Sequence, residues 1–186
     1  DAPTITSTAV TSINEDSAYS YTVTTSDDDG ETVTLTGTTV PSWLTFTTST
    51  GVLSGTPTND EVGSHSVVIT ASDGTASVTD TFTIVVANTN DAPSAGADQT
   101  GSLTEDASTT TATGTVAGTD VDSGDSLSYS TSSTGGTYGS FALTESTGAW
   151  TYTLDNSDAD TTALDAGDSV TDSYTITVTD DGTGTL

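Results

Sequence analysis

Short runs in which apolar and polar residues alternate recur along the whole chain. Residues 19–22, 67–71 and 82–86 each place an apolar side chain at every second position. A period of two residues is that of a β-strand with one buried face, and no stretch shows the 3.6-residue period of an amphipathic helix. The pattern therefore predicts strands throughout.

About seven such runs, with turn residues between them, fill the first half of the chain. The second half repeats the theme at residues 127–129, 141–143, 150–154 and 174–178. Many short strands without helices predict an all-β fold of antiparallel β-sandwiches with immunoglobulin-like topology. Trp43 and Trp150 lie inside strand-like apolar runs, so we expect both to anchor cores.

Short sequences from the start of the chain return near its middle, which indicates an internal repeat. We therefore predict two tandem sandwich domains, at residues 1–90 and 91–186. The repeated pieces are Asp-Ala-Pro at residues 1–3 and 91–93, and the pairs Glu15-Asp16 and Glu105-Asp106.

The two halves differ in their interiors. The alternation before Asp73 matches that before Asp180, and this register gives the second half extra residues at 131–138 and 155–168. A complete last strand follows Asp73, whereas little sequence follows Asp180. We therefore expect the second sandwich to lack its last strand in this chain.

Composition limits the partners of the protein. The 186 residues include 27 Asp and Glu but no Lys or Arg, a formal net charge of −27. This charge excludes nucleic acids and anionic membrane surfaces as electrostatic partners, and the longest apolar runs are too short to insert in a membrane. Low hydrophobicity with high charge is also typical of disorder, but the regular alternation favours folded, monomeric sandwiches.

Catalysis has little support in the sequence, and we predict that the chain is not an enzyme. His65 is the single histidine, there is no cysteine, and no Gly-x-Ser-x-Gly motif surrounds a serine. The number of carboxylates would permit the pair that glycoside hydrolysis requires, so this activity stays an open alternative. The carboxylates are better explained by metal binding.

The acidic residues concentrate where the topology brings loops together. In this topology the first–second and fifth–sixth strand loops of domain one lie at the end where its chain leaves. The second–third and sixth–seventh strand loops of domain two, with Asp125 and Asp181, lie at the end where its chain enters. Calcium takes six to eight oxygen ligands, and no protein cation offsets these groups, so we predict a calcium site at the junction. A merely solvated acidic surface is the alternative. The predicted interdomain ligands are Glu15, Asp16, Asp60, Asn88, Asn90, Asp91, Asp120, Asp122 and Asp180.

The same reasoning leaves half-sites at both ends, each of which would be completed by a neighbouring domain. The N-terminal half-site comprises Asp1, Asp27, Asp29 and Asp73, and the C-terminal one comprises Glu105 and Asp106.

Sequence motifs give each half a family resemblance. Residues 41–44 (Pro-Ser-Trp-Leu), 50–57 and 71–74 resemble cadherin-like domains of the dystroglycan-type and Ig group, and residues 88–93 are similar to a cadherin linker. The second half resembles the VCBS repeat of giant bacterial adhesins. The motifs that carry this second resemblance lie at residues 103–106, 114–116, 119–122, 148–152 and 164–168.

The resemblance implies a calcium-rigidified spacer of a large secreted RTX adhesin, at the bacterial cell surface, with roles in attachment and biofilm formation. Its partners would be neighbouring adhesin domains. The glycine-rich nonapeptide repeats of RTX secretion regions are missing, so we expect an internal segment. Two alternatives stay open: a segment that binds a protein or glycan ligand, with residues 132–138 as the place to look, and an accessory module of a secreted hydrolase.

Overall fold

The computed structural model describes residues 1–182 and divides into two compact units, residues 1–89 and the chain from Asn90 onward. The predicted all-β sandwich fold is confirmed. Unit 1 contains β1 (Thr4–Ile5), β2 (Ser12–Asn14), β3 (Tyr19–Thr22), β4 (Thr25–Ser26), β5 (Thr34–Thr39), β6 (Leu44–Thr47), β7 (Val52–Gly55), the 3₁₀ helix Asn59–Glu61, β8 (Gly63–Ser72) and β9 (Ser77–Ala87). Unit 2 contains β10 (Ser94–Ala95), β11 (Thr111–Thr115), β12 (Gly118–Thr119), β13 (Ser128–Thr131), β14 (Gly139–Leu143), β15 (Ala149–Leu154), α1 (Ala159–Thr162) and β16 (Ile176–Thr179).

Unit 1 is built from a four-stranded sheet, β2-β9-β8-β5, a three-stranded sheet, β3-β7-β6, and the pair β1-β4. All pairs are antiparallel except β2 and β9, which run parallel with Ile13 opposite Val86. This parallel pair is a local departure from the predicted antiparallel sandwich, which the other strand pairs follow. The first strand is split, so that β1 pairs with β4 whereas the later part, β2, pairs with the last strand.

The core of unit 1 follows the two-residue period. Val67, Ile69 and Ala71 on β8 are fully buried, and Val67 and Ile69 belong to one core cluster with the aromatic residues of β3. The Tyr19 hydroxyl donates to the Val10 carbonyl at 2.8 Å, which satisfies the polar end of a buried ring. Trp43 packs edge-on against Tyr19, with ring centroids 5.8 Å apart.

Unit 2 reproduces most of the strand pairing of unit 1. The pair β10-β12 corresponds to β1-β4, the sheet β11-β15-β14 to β3-β7-β6, and the pair β13-β16 to β5-β8. Among the described residues, β2 and β9 have no counterpart strand in unit 2. The prediction about a missing last strand also depends on residues 183–186, which lie outside the described residues.

Aromatic side chains form the core of unit 2. Tyr129, Phe141 and Trp150 are each buried, and Phe141 stacks on Tyr174 with a centroid distance of 4.4 Å. Gly114 on β11 lies against the Trp150 indole, where a Cβ atom would approach the ring to 2.6 Å. Burial of Trp150 confirms its predicted role as a core anchor.

The extra residues of unit 2 form a loop at residues 132–138 and a segment that contains α1. The Asp158 side chain caps α1 by accepting from the Asp160 N–H at 2.8 Å. A helix of one turn is too short to produce a hydrophobic period, which explains why the sequence pattern did not predict it. Within residues 1–182, none of the helices has the length and apolar character needed to cross a membrane.

Candidate metal centres

Glu15 is a buried carboxylate at the end of β2 in unit 1. Its side chain is only 2% exposed, and its Oε1 accepts a hydrogen bond from the Thr89 N–H at 2.6 Å. Its Oε2 is buried without a hydrogen-bond partner among the described residues. A buried anionic oxygen without a donor is costly, so this atom is suited to a cation ligand.

The residue after this glutamate has the same unusual backbone in both units. Asp16 and Asp106 have φ of 55° and 56°, in the left-handed region that few non-glycine residues adopt. The repeat thus extends to backbone conformation, although Glu105 is half-buried where Glu15 is fully buried. The Asp106 N–H makes a weak bond of 3.4 Å to Asn156 Oδ1.

The loop after β7 lies beside Glu15. The Asp16 N–H donates to the Pro57 carbonyl at 2.8 Å, which joins the first–second strand loop to the turn that contains Asp60. Glu61 is held within that turn, because its Oε2 accepts from the N–H and the hydroxyl of Thr58, each at 2.8 Å. The backbone hydrogen bond, followed by that of the hydroxyl, lowers the Glu61 pKa.

A compact cluster of three carboxylates follows β12 in unit 2. Asp120, Asp122 and Asp125 each offer an oxygen within 4.8 Å of the others. Asp122 is 3% exposed, and its Oδ2 accepts from the Asp91 N–H at 2.6 Å. The Asp122 N–H donates in turn to Asp120 Oδ1 at 2.9 Å, which holds the loop closed.

Several oxygens of this cluster lack hydrogen-bond donors. Asp120 Oδ2 and both oxygens of Asp125 are buried without a partner among residues 1–182. Burial raises the Asp125 pKa, and the neighbouring carboxylates, Asp181 first, raise it further. The protein therefore disfavours the negative charge of Asp125, and a bound cation would reverse that effect.

The turn after β16 brings further oxygen atoms to the same end of unit 2. Asp180 Oδ1 accepts from the Gly182 N–H at 2.7 Å and from Asn90 Nδ2 at 3.3 Å. Asp181 Oδ1 accepts from the Ser126 N–H at 3.4 Å, next to Asp125. Unit 2 alone thus gathers groups from its entry segment, the loop after β12 and the turn after β16.

A second acidic group lies at the other end of unit 1. Asp27, Asp29 and Glu31 place oxygens within 4.8 Å of one another, and the amino group of Asp1 contacts the Asp29 carboxylate. Asp73 lies outside this group of three and caps its own turn. Hydrogen bonds from the N–H groups of Ala76 and then Thr75 lower the Asp73 pKa.

The structure brings together part of the predicted ligand set. Within unit 2, hydrogen bonds and close approach connect Asn90, Asp91, Asp120, Asp122 and Asp180. Within unit 1, Glu15 joins the linker end that contains Asn88, and Asp16 joins the loop of Asp60. That the two groups share calcium ions stays a prediction, as does the half-site role of Glu105 and Asp106.

Sequence reasoning left Asp125 and Glu31 out of the ligand sets. Both were detectable, because each extends an acidic series at short spacing: Asp120, Asp122 and Asp125 in one loop, and Asp27, Asp29 and Glu31 in the other. The topology already placed Asp125 at the predicted junction, and the folded backbone adds that Asp125 and Glu31 each lie close to the other carboxylates of their loops.

These donor sets suit a hard divalent cation. Carboxylate and amide oxygens in irregular loops are the groups that calcium prefers, because it accepts flexible geometry at about 2.3–2.6 Å. The buried oxygens of Glu15, Asp120 and Asp125 that lack a donor are the observation that favours a cation over solvent.

Comparison with known families gives a match for each unit. Residues 2–87 match the family model described as "Putative Ig domain", and residues 90–186 match the one described as "Bacterial cadherin-like domain". The second match covers more than half of the chain. No curated protein matches the sequence.

Solved cadherin structures share the fold at low sequence identity. Drosophila N-cadherin EC1-4 is 18% identical with a TM-score of 0.58, over 98% of this chain and 46% of that one. Human protocadherin-24 EC1-2 is 16% identical with a TM-score of 0.55, over 84% and 81%. Protocadherin gammaB7 EC3-6 is 18% identical with a TM-score of 0.54, over 98% and 49%.

Larger proteins also match over short parts of their length. The chain spans 17% of two Bacteroides fragilis structures at TM-scores of 0.39, and 27% of an endo-fucoidan hydrolase at 0.44.

Proposed function

The chain belongs to the family of bacterial cadherin-like domains, and from this membership we propose that it is a calcium-binding spacer of a large extracellular adhesin. The coarser function of the family is an extracellular adhesion or spacer module. The buried, unpartnered carboxylate oxygens in both units are the observation that carries the finer proposal.

The linker is tied to a candidate ligand within each unit. The Thr89 N–H donates to Glu15 in unit 1, and the Asp91 N–H donates to Asp122 in unit 2. Asn90 is the one residue between these two donors. Calcium bound at Glu15 in unit 1, and calcium bound at Asp122 in unit 2, would each fix a carboxylate that holds the linker, and would thereby reduce its backbone freedom.

Calcium would act by shifting populations. Without it, carboxylates near each other repel, and the repulsion is strongest where they are shielded from water. An ion that binds the gathered arrangement better than the separated one shifts the protein toward the gathered state. A flexible connection would become stiffer, which suits a protein that holds a binding domain away from a cell surface.

A calcium titration of the whole chain tests this function. We expect saturable binding by calorimetry, a higher melting temperature with millimolar calcium than with EDTA, and a narrower size distribution in small-angle scattering. Asp122→Asn preserves an acceptor for the Asp91 N–H but removes the charge, so it should weaken calcium binding at least tenfold. Glu145→Gln, at an exposed carboxylate, is the matched control.

Identical melting and scattering profiles with EDTA and with calcium would contradict the proposal. Equal calcium binding by the Asp122→Asn variant would contradict this ligand set. The membership of an RTX adhesin, the VCBS resemblance, the role in biofilms and the absence of catalysis stay predictions.

A second candidate function is binding of a protein or glycan ligand by unit 2. It is favoured by a polar depression that the extra residues of this unit form beside β14 and β15.

A further inference from the structure

The depression in unit 2 lies where the sequence departs from unit 1. Its volume is about 360 Å³, within the range of about 300–1,000 Å³ that small-molecule sites occupy. It is formed by the 132–138 loop, the paired strands β14 and β15, and the turn that precedes α1. The lining residues are Gly136, Thr137, Gly139, Ser140, Thr153, Leu154, Asp155 and Asp158.

The loop wall is held in place by a carboxylate. Asp172 accepts from the N–H groups of Thr137 at 2.9 Å and Tyr138 at 3.1 Å, and from the Tyr152 hydroxyl at 2.7 Å. Gly136 fits against it so closely that a Cβ atom would lie 2.2 Å from Asp172 Oδ2. The site therefore exists before a ligand arrives, which lowers the entropic cost of binding.

Polar groups on the walls retain hydrogen-bonding capacity. Ser140 and Thr153 are directly opposite each other on β14 and β15, and in the described part of the chain neither hydroxyl bonds to the protein. Asp155 and Asp158 use Oδ1 within their own turns. The second oxygen of each remains to accept from a ligand.

This set of groups matches a neutral polyol. Hydroxyls both donate and accept, and carboxylate oxygens accept from ligand hydroxyls. Because the chain has no Lys or Arg, sulfated and uronic acid sugars would meet only negative charge. We propose that the depression binds one residue of a neutral saccharide directly, without a bridging cation.

Nuclear magnetic resonance on the whole chain tests the proposal. The probes are the methyl glycosides of glucose, galactose, mannose, xylose and N-acetylglucosamine, titrated in EDTA. We expect saturable shifts of the Gly136, Thr137, Gly139 and Asp155 amides with at least one glycoside, and unchanged amides in unit 1. Shifts with none of the five, or shifts that need calcium, would overturn the proposal.

Variants locate the site. Thr153→Val removes one hydroxyl but preserves side-chain shape, and it should weaken binding at least threefold. Asp158→Asn retains the Oδ1 cap of α1 and should weaken saccharide binding at least tenfold. Thr83→Val, on the exposed face of β9, is the matched control and should not change it. Equal affinity in all variants would overturn the assignment to this depression.

Discussion

At the scale of single residues, the surroundings of the Glu15 carboxylate are unusual. It is almost fully buried, yet one of its carboxylate oxygens has no donor among the described residues. Leaving a buried polar atom unsatisfied costs about 1–3 kcal/mol, and more when the group is charged. Such a residue lowers the stability of the fold when no cation is bound, and raises it when a cation is bound.

The effect of Glu15→Gln on the stability of the protein should therefore change sign when calcium is added. The amide retains an acceptor for the Thr89 N–H and removes the charge, so in EDTA we expect the variant to be more stable by about 1 kcal/mol. In saturating calcium we expect it to be less stable than the wild type, because a ligand is lost. Thermal unfolding in both buffers measures this, with Glu145→Gln as the exposed control. The same sign in both buffers would show that Glu15 has no role in calcium binding.

The site residues that could be predicted from the sequence are those whose neighbours along the chain position them. Asp120 and Asp122 lie in one loop, and their convergence follows from chain connectivity. Burial of Glu15 was not predictable, because it depends on Thr89, 74 residues away along the chain, which closes over it.

At the scale of elements, Asp172 holds the inserted loop of unit 2. Burial alone would raise its pKa, but hydrogen bonds from the Thr137 N–H, the Tyr152 hydroxyl and the Tyr138 N–H outweigh this, and the net effect is a lowered pKa. A carboxylate with a lowered pKa stabilises the fold above its unfolded pKa, and loses that contribution as the pH falls through the folded value.

We therefore predict that acid releases the 132–138 loop. As the pH falls below about 4, the usual carboxyl range, the amides of Thr137 and Tyr138 should lose protection before the sheets unfold. Protection here means the exchange rate relative to that of an unfolded chain at the same pH. Asp172→Asn should show faster exchange already at neutral pH, and no further change through this range. Hydrogen exchange followed by nuclear magnetic resonance measures both. A wild-type loop that stays protected until global unfolding would refute the role of Asp172.

The fold itself was largely predictable, because burial on one face imposes a two-residue period that survives in the sequence. Val67, Ile69 and Ala71 show it directly. The parallel pairing of β2 with β9 was not predictable, since the period of a strand is the same whichever direction its neighbour runs. One turn of helix, α1, carries too few residues to show a period.

At the scale of the whole molecule, the charge of −27 opposes the compact state through self-repulsion. Salt can stabilise such a protein in two ways: by screening its charges, or by binding of an ion at a specific site. Screening depends on ionic strength alone, with a Debye length of about 10 Å at 0.1 M that shortens to about 3 Å at 1 M. Site binding depends on the ion, because Mg²⁺ demands near-octahedral geometry at about 2.0–2.1 Å and dehydrates reluctantly, whereas Ca²⁺ tolerates irregular oxygen sets.

A NaCl titration, compared with calcium and magnesium titrations in which NaCl is adjusted to hold the ionic strength constant, separates the two. We expect NaCl to raise the melting temperature gradually without saturation, and calcium to add a saturable increment that magnesium does not reproduce. At a calcium concentration 100 times the dissociation constant, one site adds about 2.7 kcal/mol, which is about 10–20 °C for a domain of 60–100 residues. Asp122→Asn should lose much of this increment and retain the response to NaCl. Equal effects of calcium and magnesium, undiminished in the variant, would mean that the acidic residues form a solvated surface, and the chain would then need another source of stiffness.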